Sequence, residues 1–223
     1  MKCINEEKIR DILSLSCSAG ADELERILEK SRSLKRLTLE ETACLLNADD
    51  PEAVDKILNC AKTVKAEVYG QRVVLFAPLY INNICLNYCK YCSFKADNKA
   101  LKRKKLSQKE IAAETEVILK MGHKRILIVA SQPTGSELDL DYYIDSIRTV
   151  YSVSCGDDRV RRVNVNLAPV SSDGFKRLKA ENICTYQLFQ ETYCRDSYEN
   201  FHPRGPKKNP DTRFEAIDKA FEA

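Results

Sequence analysis

The chain has 223 residues, of which 43% are hydrophobic and 31% charged, a composition that excludes a disordered protein. Its 36 basic and 33 acidic residues give a formal charge of +3, which is too balanced to indicate a nucleic-acid or membrane partner. No apolar run approaches the ~20 residues of a membrane span and the first residues lack the apolar stretch of a signal peptide, so we expect a cytoplasmic protein.

Residues 1–71 are predicted to form an all-helical N-terminal extension. Apolar side chains recur there at the three- to four-residue spacing of a helix with one buried face. Asp22 with Glu25 and Thr38 with Glu41 have the spacing of capping boxes, in which two side chains satisfy the free backbone N–H groups at a helix start. We therefore expect helices to begin at these residues.

Residues 72–223 are predicted to form an α/β domain. The continuous apolar run Val73–Tyr80 is typical of a strand buried on both faces, and helical patterns alternate with apolar runs after it. Such alternation indicates a parallel sheet with right-handed crossovers. The expected strands are 73–80, 126–130, 163–167 and 185–189, and the expected helices are 107–121, 141–150, 171–179 and 212–223.

The number of predicted strands bears on the fold class. A closed barrel of parallel strands and helices has about eight strands in ~250 residues, whereas only four strands are predicted here. The last predicted helix also has no capping glycine. We therefore expect an α/β fold that is the first half of a partial TIM-type barrel, preceded by the helical extension.

The basic run Leu101–Lys105 lies just before a predicted helix. It could contact phosphate, but the more ordinary interpretation of such a run is a solvated loop. We adopt the solvated loop.

Three of the ten cysteines, Cys85, Cys89 and Cys92, form a C-x3-C-x2-C motif, called here the cysteine triad. In a cytoplasm that keeps thiols reduced, such a group indicates metal binding rather than disulfides. The triad directly follows a predicted strand, and parallel α/β folds place their chemistry at that edge of the sheet.

The alternatives for the triad are three core cysteines, a zinc site or an iron–sulfur cluster. A tetrahedral zinc site needs a fourth ligand, yet the next cysteine is Cys155 and the only histidines are His123 and His202. Three thiolates on one loop suit a [4Fe–4S] cluster that leaves one iron open. We therefore favour the cluster.

The triad and its surroundings resemble a known family. Its spacing is similar to that of the radical S-adenosylmethionine (SAM) superfamily, and Leu75–Asn83 resembles the tyrosine lyases of the HydG and ThiH type. Arg161–Asn166, Tyr186–Tyr193 and His202–Lys207 resemble the HydG type, the [FeFe]-hydrogenase maturases. The resemblance covers nearly the whole chain and about the N-terminal half of that family.

The resemblance implies a reaction, its cofactors and its partners. In the family, a reduced [4Fe–4S] cluster cleaves SAM to methionine and a 5′-deoxyadenosyl radical, which takes a hydrogen from L-tyrosine. The Cα–Cβ bond then breaks to p-cresol and dehydroglycine, and the HydG type converts the glycyl fragment to CO and cyanide at a second cluster in a C-terminal domain. The implied electron donor is a ferredoxin or flavodoxin.

Four further residues are candidates for contacts with SAM. Tyr91 resembles the aromatic residue beside the adenine, with an ordinary packed tyrosine as the alternative. Asn166 lies where the family meets the ribose, or it caps a turn. Glu191 and Arg195 flank the last strand, where they could clamp the zwitterionic end of SAM or tyrosine, or form a structural ion pair.

The segment after the second strand departs from the family. Where the family has Ala-Gly-Glu to bind the methionine ammonium, this chain has Ala130 followed by Ser131 and Gln132. A neutral amide still accepts a hydrogen bond from the ammonium but without the charge-assisted part. We expect Ser131 and Gln132 to bind SAM, with a reduced affinity.

Two functional classes remain open on the sequence. The first is a radical SAM carbon–carbon lyase, either of the hydrogenase-maturation type or the thiamine-pathway tyrosine lyase (2-iminoacetate synthase), with a biotin-synthase-like enzyme as a more distant rival. The second is a truncated, non-catalytic protein that only binds the cluster. The Asn-Val-Asn strand and the helical extension favour the hydrogenase-maturation type.

Overall fold

The computed structural model describes residues 4–15, 20–133 and 139–223. The chain divides into two compact units, with the division between Val74 and Leu75. The domain boundary predicted from the sequence lies three residues earlier, after residue 71. In the described part of the chain, every helix is too short or too polar to span a bilayer.

The described residues of the first unit form four helices around a small apolar core of Leu24, Leu28 and Cys60. Thr38 and Glu41 form the predicted capping box, whereas Asp22 does not cap a helix. The cap of this helix is Gly20, two residues earlier, so that Asp22 already lies in the first turn, where a carboxylate faces the positive end of the helix dipole. The helices are α1 (Glu6–Leu15), α2 (Ala21–Arg32), α3 (Leu39–Leu46) and α4 (Pro51–Tyr69).

The second unit alternates strands and helices. In chain order its elements are β1 (Ala77–Asn82), α5 (Gln108–Lys120), β2 (Arg125–Ala130), α6 (Leu140–Ser152), β3 (Ser154–Cys155), β4 (Asp158–Arg159), β5 (Arg162–Asn166), α7 (Ser172–Ala180), β6 (Thr185–Gln187), α8 (Arg195–Phe201), a 3₁₀ turn (Pro206–Lys208) and α9 (Pro210–Glu222). The short β3 and β4 pair with each other as an antiparallel hairpin.

The main sheet has the order β1-β2-β5-β6, and all of its pairs are parallel. Strands that follow one another in both sequence and space, joined by right-handed crossovers, put their helices on one face, as in a barrel rather than a doubly wound sheet. Alternate side chains such as Leu79, Ile128 and Val165 pack on that face against α5, α6 and α7. Among the described residues the sheet stays open, which confirms the predicted partial barrel.

The predicted first strand starts too early. Val73–Phe76 lies outside the strand, and Val73 is 78% exposed. The register explains this, because Ala77 pairs with Ile126 and β2 begins only one residue before it, so the earlier residues have no partner strand. The prediction also missed the helix α8, because it has only seven residues and carries no apolar repeat.

Candidate functional site

The cysteine triad lies on the loop of residues 83–106 that leaves the carboxyl end of β1, called here the cluster loop. Cys89 is buried, and Cys85 and Cys92 are partly exposed. In the described ranges no three Cys, His, Asp or Glu side chains converge closely enough to hold one metal ion. Three thiolates on one loop are the donor set of a cubane cluster, in which each thiolate would bind a separate iron.

Arg103 folds the cluster loop around the triad. Its guanidinium donates hydrogen bonds of 2.5 to 3.2 Å to four backbone carbonyls, one before the triad and three after it. Interpreting the basic run as a wholly solvated loop was therefore wrong for this residue, since buried carbonyls need donors that the sequence pattern does not show. The four acceptors belong to Asn83, Phe94, Lys95 and Asn98.

Several N–H groups point at the triad. The backbone and side-chain amides of Asn87 lie 3.5 and 3.6 Å from Cys85 Sγ, and the Phe94 amide lies 3.4 Å from Cys92 Sγ. Burial raises the pKa of the Cys89 thiol, which favours its neutral form. The N–H groups of the loop can thus stabilise negative charge on the sulfurs of Cys85 and Cys92.

A second segment, residues 204–207, packs directly on the cluster loop. The Tyr88 amide donates to the Arg204 carbonyl at 3.2 Å, and the Arg204 guanidinium lies 4.0 Å from the centre of the Tyr88 ring. The Lys207 amide donates to Asn87 Oδ1 at 2.6 Å. Gly205 has a φ of +95°, and a Cβ there would lie only 2.7 Å from the Leu86 carbonyl oxygen. Only glycine allows this close approach.

The segment after β2 also contacts the cluster loop. Ser131 Oγ lies 2.7 Å from both Asn82 Oδ1 and the Ile84 carbonyl. The Gln132 carbonyl accepts from the Leu86 amide at 2.8 Å, and Gln132 Oε1 accepts from Asn87 Nδ2 at 3.0 Å. These contacts fix the end of β2 to the residues around Cys85.

A cleft opens beside the triad and encloses about 670 Å³ of space, part of it open to solvent. Of the residues proposed from the sequence, all but Arg195 line the cleft. Arg195 is exposed at the start of α8, and the cations that line the cleft are instead Lys207 and Arg213. The proposed residues in its wall are Tyr91, Ser131, Gln132, Asn166, Glu191 and the triad.

A chain of polar groups crosses one wall of the cleft. Lys207 Nζ lies 2.6 Å from Glu191 Oε1 and 2.8 Å from the Tyr91 hydroxyl, which in turn lies 2.9 Å from His202 Nε2. His202 Nδ1 lies 2.9 Å from the Tyr198 carbonyl, which can only accept. Nδ1 therefore carries a proton and donates it to that carbonyl.

The surroundings shift the pKa values of the groups in this row of polar side chains. Burial lowers the pKa of His202 and also that of Lys207, although the Glu191 carboxylate opposes the shift at Lys207. Burial and the nearby Glu191 raise the pKa of the Tyr91 hydroxyl well above its ordinary value, even though half of the side chain is exposed. Tyr91 therefore stays protonated at neutral pH.

Sequence reasoning gave no role to Lys207, Asn87 or His202. Lys207 is 6% exposed, which is unusual for a lysine, and its partners lie far away in sequence. The stretch His202–Lys207 is the sequence feature that points to two of these residues, but in the sequence it supports only the resemblance to the HydG type.

Comparisons with known proteins agree with this geometry. The family model described as the radical SAM superfamily matches residues 79–223, which is more than half of the chain. The chain belongs to the radical SAM superfamily. The radical SAM domain thus includes the cluster loop and the whole cleft.

This radical SAM chain is similar to solved HydG structures and to curated 2-iminoacetate synthases. It superposes on a HydG, a maturase of the [FeFe]-hydrogenase, with a TM-score of 0.93 and 42% identity, covering 98% of this chain and 48% of that one. For HydG from Carboxydothermus hydrogenoformans the TM-score is 0.85 and the identity 38%, over 97% of this chain and 49% of that one. The 2-iminoacetate synthase of Salmonella typhimurium is 26% identical over 195 residues, which are 86% of this chain and 49% of the synthase. The chain spans about half the length of these relatives.

Proposed function

We propose that this chain binds a [4Fe–4S] cluster on its cysteine triad and SAM in the adjoining cleft, as the SAM-cleaving part of a tyrosine lyase. The observation that carries the proposal is the triad itself, because three thiols on one loop face an open cleft at the carboxyl edge of a parallel sheet. When bound, the reduced cluster supplies one electron that splits SAM into methionine and a 5′-deoxyadenosyl radical.

The residues in the wall of the cleft fit the parts of SAM. The Lys207 ammonium and the Glu191 carboxylate offer opposite charges to a zwitterionic amino-acid group. The Asn166 amide offers both a donor and an acceptor to the ribose hydroxyls, and the Tyr91 ring offers a flat apolar face to the adenine. Gln132 offers an acceptor to the ammonium.

For the substrate we propose L-tyrosine, cleaved to p-cresol and dehydroglycine in [FeFe]-hydrogenase maturation. The 42% identity to a HydG structure, against 26% to 2-iminoacetate synthase, favours this role over the thiamine-pathway lyase. We further propose a cytoplasmic location and a ferredoxin or flavodoxin as electron donor. A cluster-binding protein without catalysis is the alternative that the experiment below addresses.

The test is anaerobic reconstitution with iron and sulfide, followed by reduction in the presence of SAM. We expect about four irons and four sulfides per chain, and formation of 5′-deoxyadenosine. Replacing Cys85, Cys89 and Cys92 together by alanine should abolish both, whereas Cys184→Ala, which changes an exposed cysteine outside the cleft, should abolish neither. Iron retained by the triple variant would refute the cluster, and a full cluster that yields no 5′-deoxyadenosine would favour the non-catalytic alternative.

A further inference from the structure

Asn87 lies between the first two cysteines of the triad, and it is only 3% exposed. Its side chain contacts three separate parts of the site. Nδ2 lies 3.0 Å from Gln132 Oε1 and 3.6 Å from Cys85 Sγ, and Oδ1 accepts from the Lys207 amide at 2.6 Å. Gln132 follows β2 and Lys207 lies in the 3₁₀ turn, so one amide joins three segments at the first cysteine.

The nitrogen and the oxygen of the Asn87 side-chain amide both have hydrogen-bond partners. An asparagine side chain has two N–H donors, and here one is directed to Gln132 and the other to Cys85. Its oxygen accepts from Lys207, which identifies the oxygen and nitrogen of the amide without ambiguity, because a backbone N–H can only donate. The backbone N–H of Asn87 also lies 3.5 Å from Cys85 Sγ, so that two donors from one residue face one sulfur.

We propose that Asn87 is a positioning residue that raises the reduction potential of the cluster through its hydrogen bonds to Cys85, with Gln132 and Lys207 holding its amide in place. The inference rests on the proposed function, since it requires a cluster on the triad. Reduction adds one electron to the cluster, and part of the added negative charge resides on the ligand sulfurs. N–H donors facing such a sulfur stabilise the reduced form more than the oxidised form. Removing the side-chain donor should therefore make the cluster harder to reduce.

The same loop offers a matched control in Asn98. Its Nδ2 donates to the Ser93 carbonyl at 2.8 Å, and its Oδ1 accepts from the Ala100 amide at 3.2 Å. Asn87→Asp and Asn98→Asp both remove one side-chain NH₂ group from the cluster loop and add one negative charge. Only Asn87→Asp does so beside a ligand sulfur, while the new carboxylate can still accept from Lys207.

The experiment is a redox titration of the reconstituted wild-type chain and both variants, with dithionite as reductant and EPR as readout. We expect a more negative midpoint potential for Asn87→Asp and an unchanged one for Asn98→Asp, at equal iron content. An equal potential in wild type and Asn87→Asp overturns this inference alone. A wild-type chain that binds no cluster overturns the proposed function as well.

A second measurement does not depend on the stability of Asn87→Asp. Chain labelled with ¹⁵N only in asparagine side-chain amides is reduced and studied by electron–nuclear double resonance. We expect a ¹⁵N coupling to the reduced cluster in the wild type that persists in Asn98→Asp, because the amide of Asn87 faces Cys85 in both. Its absence from the wild type overturns the inference.

Discussion

At the scale of single residues, His202 shows how the interior of the site fixes a protonation state. It is fully buried between Tyr91 and the Tyr198 carbonyl. The positive charges of Lys207 and Arg213 add to the effect of burial and lower its pKa. The hydrogen bond to the Tyr198 carbonyl and the carboxylate of Glu191, 3.8 Å from Nε2, both favour the proton on this ring. Burial outweighs both and lowers the pKa of His202, so the imidazole is uncharged at neutral pH.

This burial predicts a pH dependence of stability. Because the folded-state pKa of His202 lies below its ordinary value of 6.5, the unfolded chain binds the proton more strongly. The contribution of His202 to stability is therefore complete above about pH 6.5 and is lost as the pH falls below it. Thermal unfolding of the apo chain from pH 7.5 to 5.5 should show a falling midpoint.

The two histidines of the chain provide the control for that measurement. His202→Gln should flatten the pH dependence, whereas His123→Gln, which changes a less buried side chain, should preserve it. If both variants lose stability with falling pH as the wild type does, His202 is not held neutral.

Gln132 is the second residue with a specific expectation. A glutamate there can still accept from Asn87 Nδ2 and would add a charge-assisted hydrogen bond to the ammonium of SAM. We expect Gln132→Glu to bind SAM more tightly by about 1 kcal/mol, or roughly fivefold in Kd. Calorimetry on the reconstituted chain measures this, with Gln71→Glu as a variant that adds the same charge in the other unit. An unchanged Kd would argue against an ammonium site at Gln132.

At the scale of elements, the site depends on the fold of the cluster loop and on two other segments that pack on it. Arg103 gathers the two sides of that loop, the end of β2 contacts it through Gln132, and residues 204–207 pack on it through Gly205. The contact at Gly205 leaves no room for a side chain, because the Leu86 carbonyl oxygen of the cluster loop lies where a Cβ at position 205 would have to be.

Alanine at position 205 tests that contact. Gly205→Ala should lower the free energy of unfolding by about 3 kcal/mol, because it combines a positive φ with a clash against backbone atoms. Gly156→Ala also places alanine at a positive φ, but with no atom within 4 Å, and should cost only about 1 kcal/mol. Urea unfolding of the apo chains gives both values. Equal losses would mean that the 204–207 segment moves away without cost.

At the scale of the whole molecule, the cleft lies at the carboxyl edge of the four parallel strands, and residues at or after the ends of all four strands line it. The cleft is open to solvent near Phe189, which is 59% exposed. Radical chemistry needs a site that excludes water and holds the substrate at the reacting carbon. The described residues provide the cluster loop and the candidate SAM contacts, but they do not enclose a substrate.

We therefore expect the 223-residue chain, assayed by itself, to form 5′-deoxyadenosine slowly without stoichiometric p-cresol. The assay is anaerobic, with dithionite, SAM and tyrosine, and both products are followed by chromatography. A full-length 2-iminoacetate synthase treated in parallel shows that the conditions support cleavage. One p-cresol for each 5′-deoxyadenosine from the chain alone would show that these four strands suffice.

The sequence by itself determined the features that depend on local pattern. The spacing of the triad, the alternation of helices and strands, and the capping box at Thr38 are each contained within a few neighbouring residues, so they can be recognised without a fold. The start of β1 could not be recognised in this way. Val73–Phe76 is apolar enough for a strand, but it lies outside β1 because β2 offers it no partner residues.

The tertiary structure alone decided how the triad is surrounded. Asn87 and Lys207 are 120 positions apart in the chain, and nothing in their own neighbourhoods predicts that they bond. The same holds for Arg103, which resembles its exposed basic neighbours in sequence but donates to four carbonyls in the fold. Hydrogen-bond partners are set by which segments the sheet brings to one edge, and that depends on the packing of the whole unit.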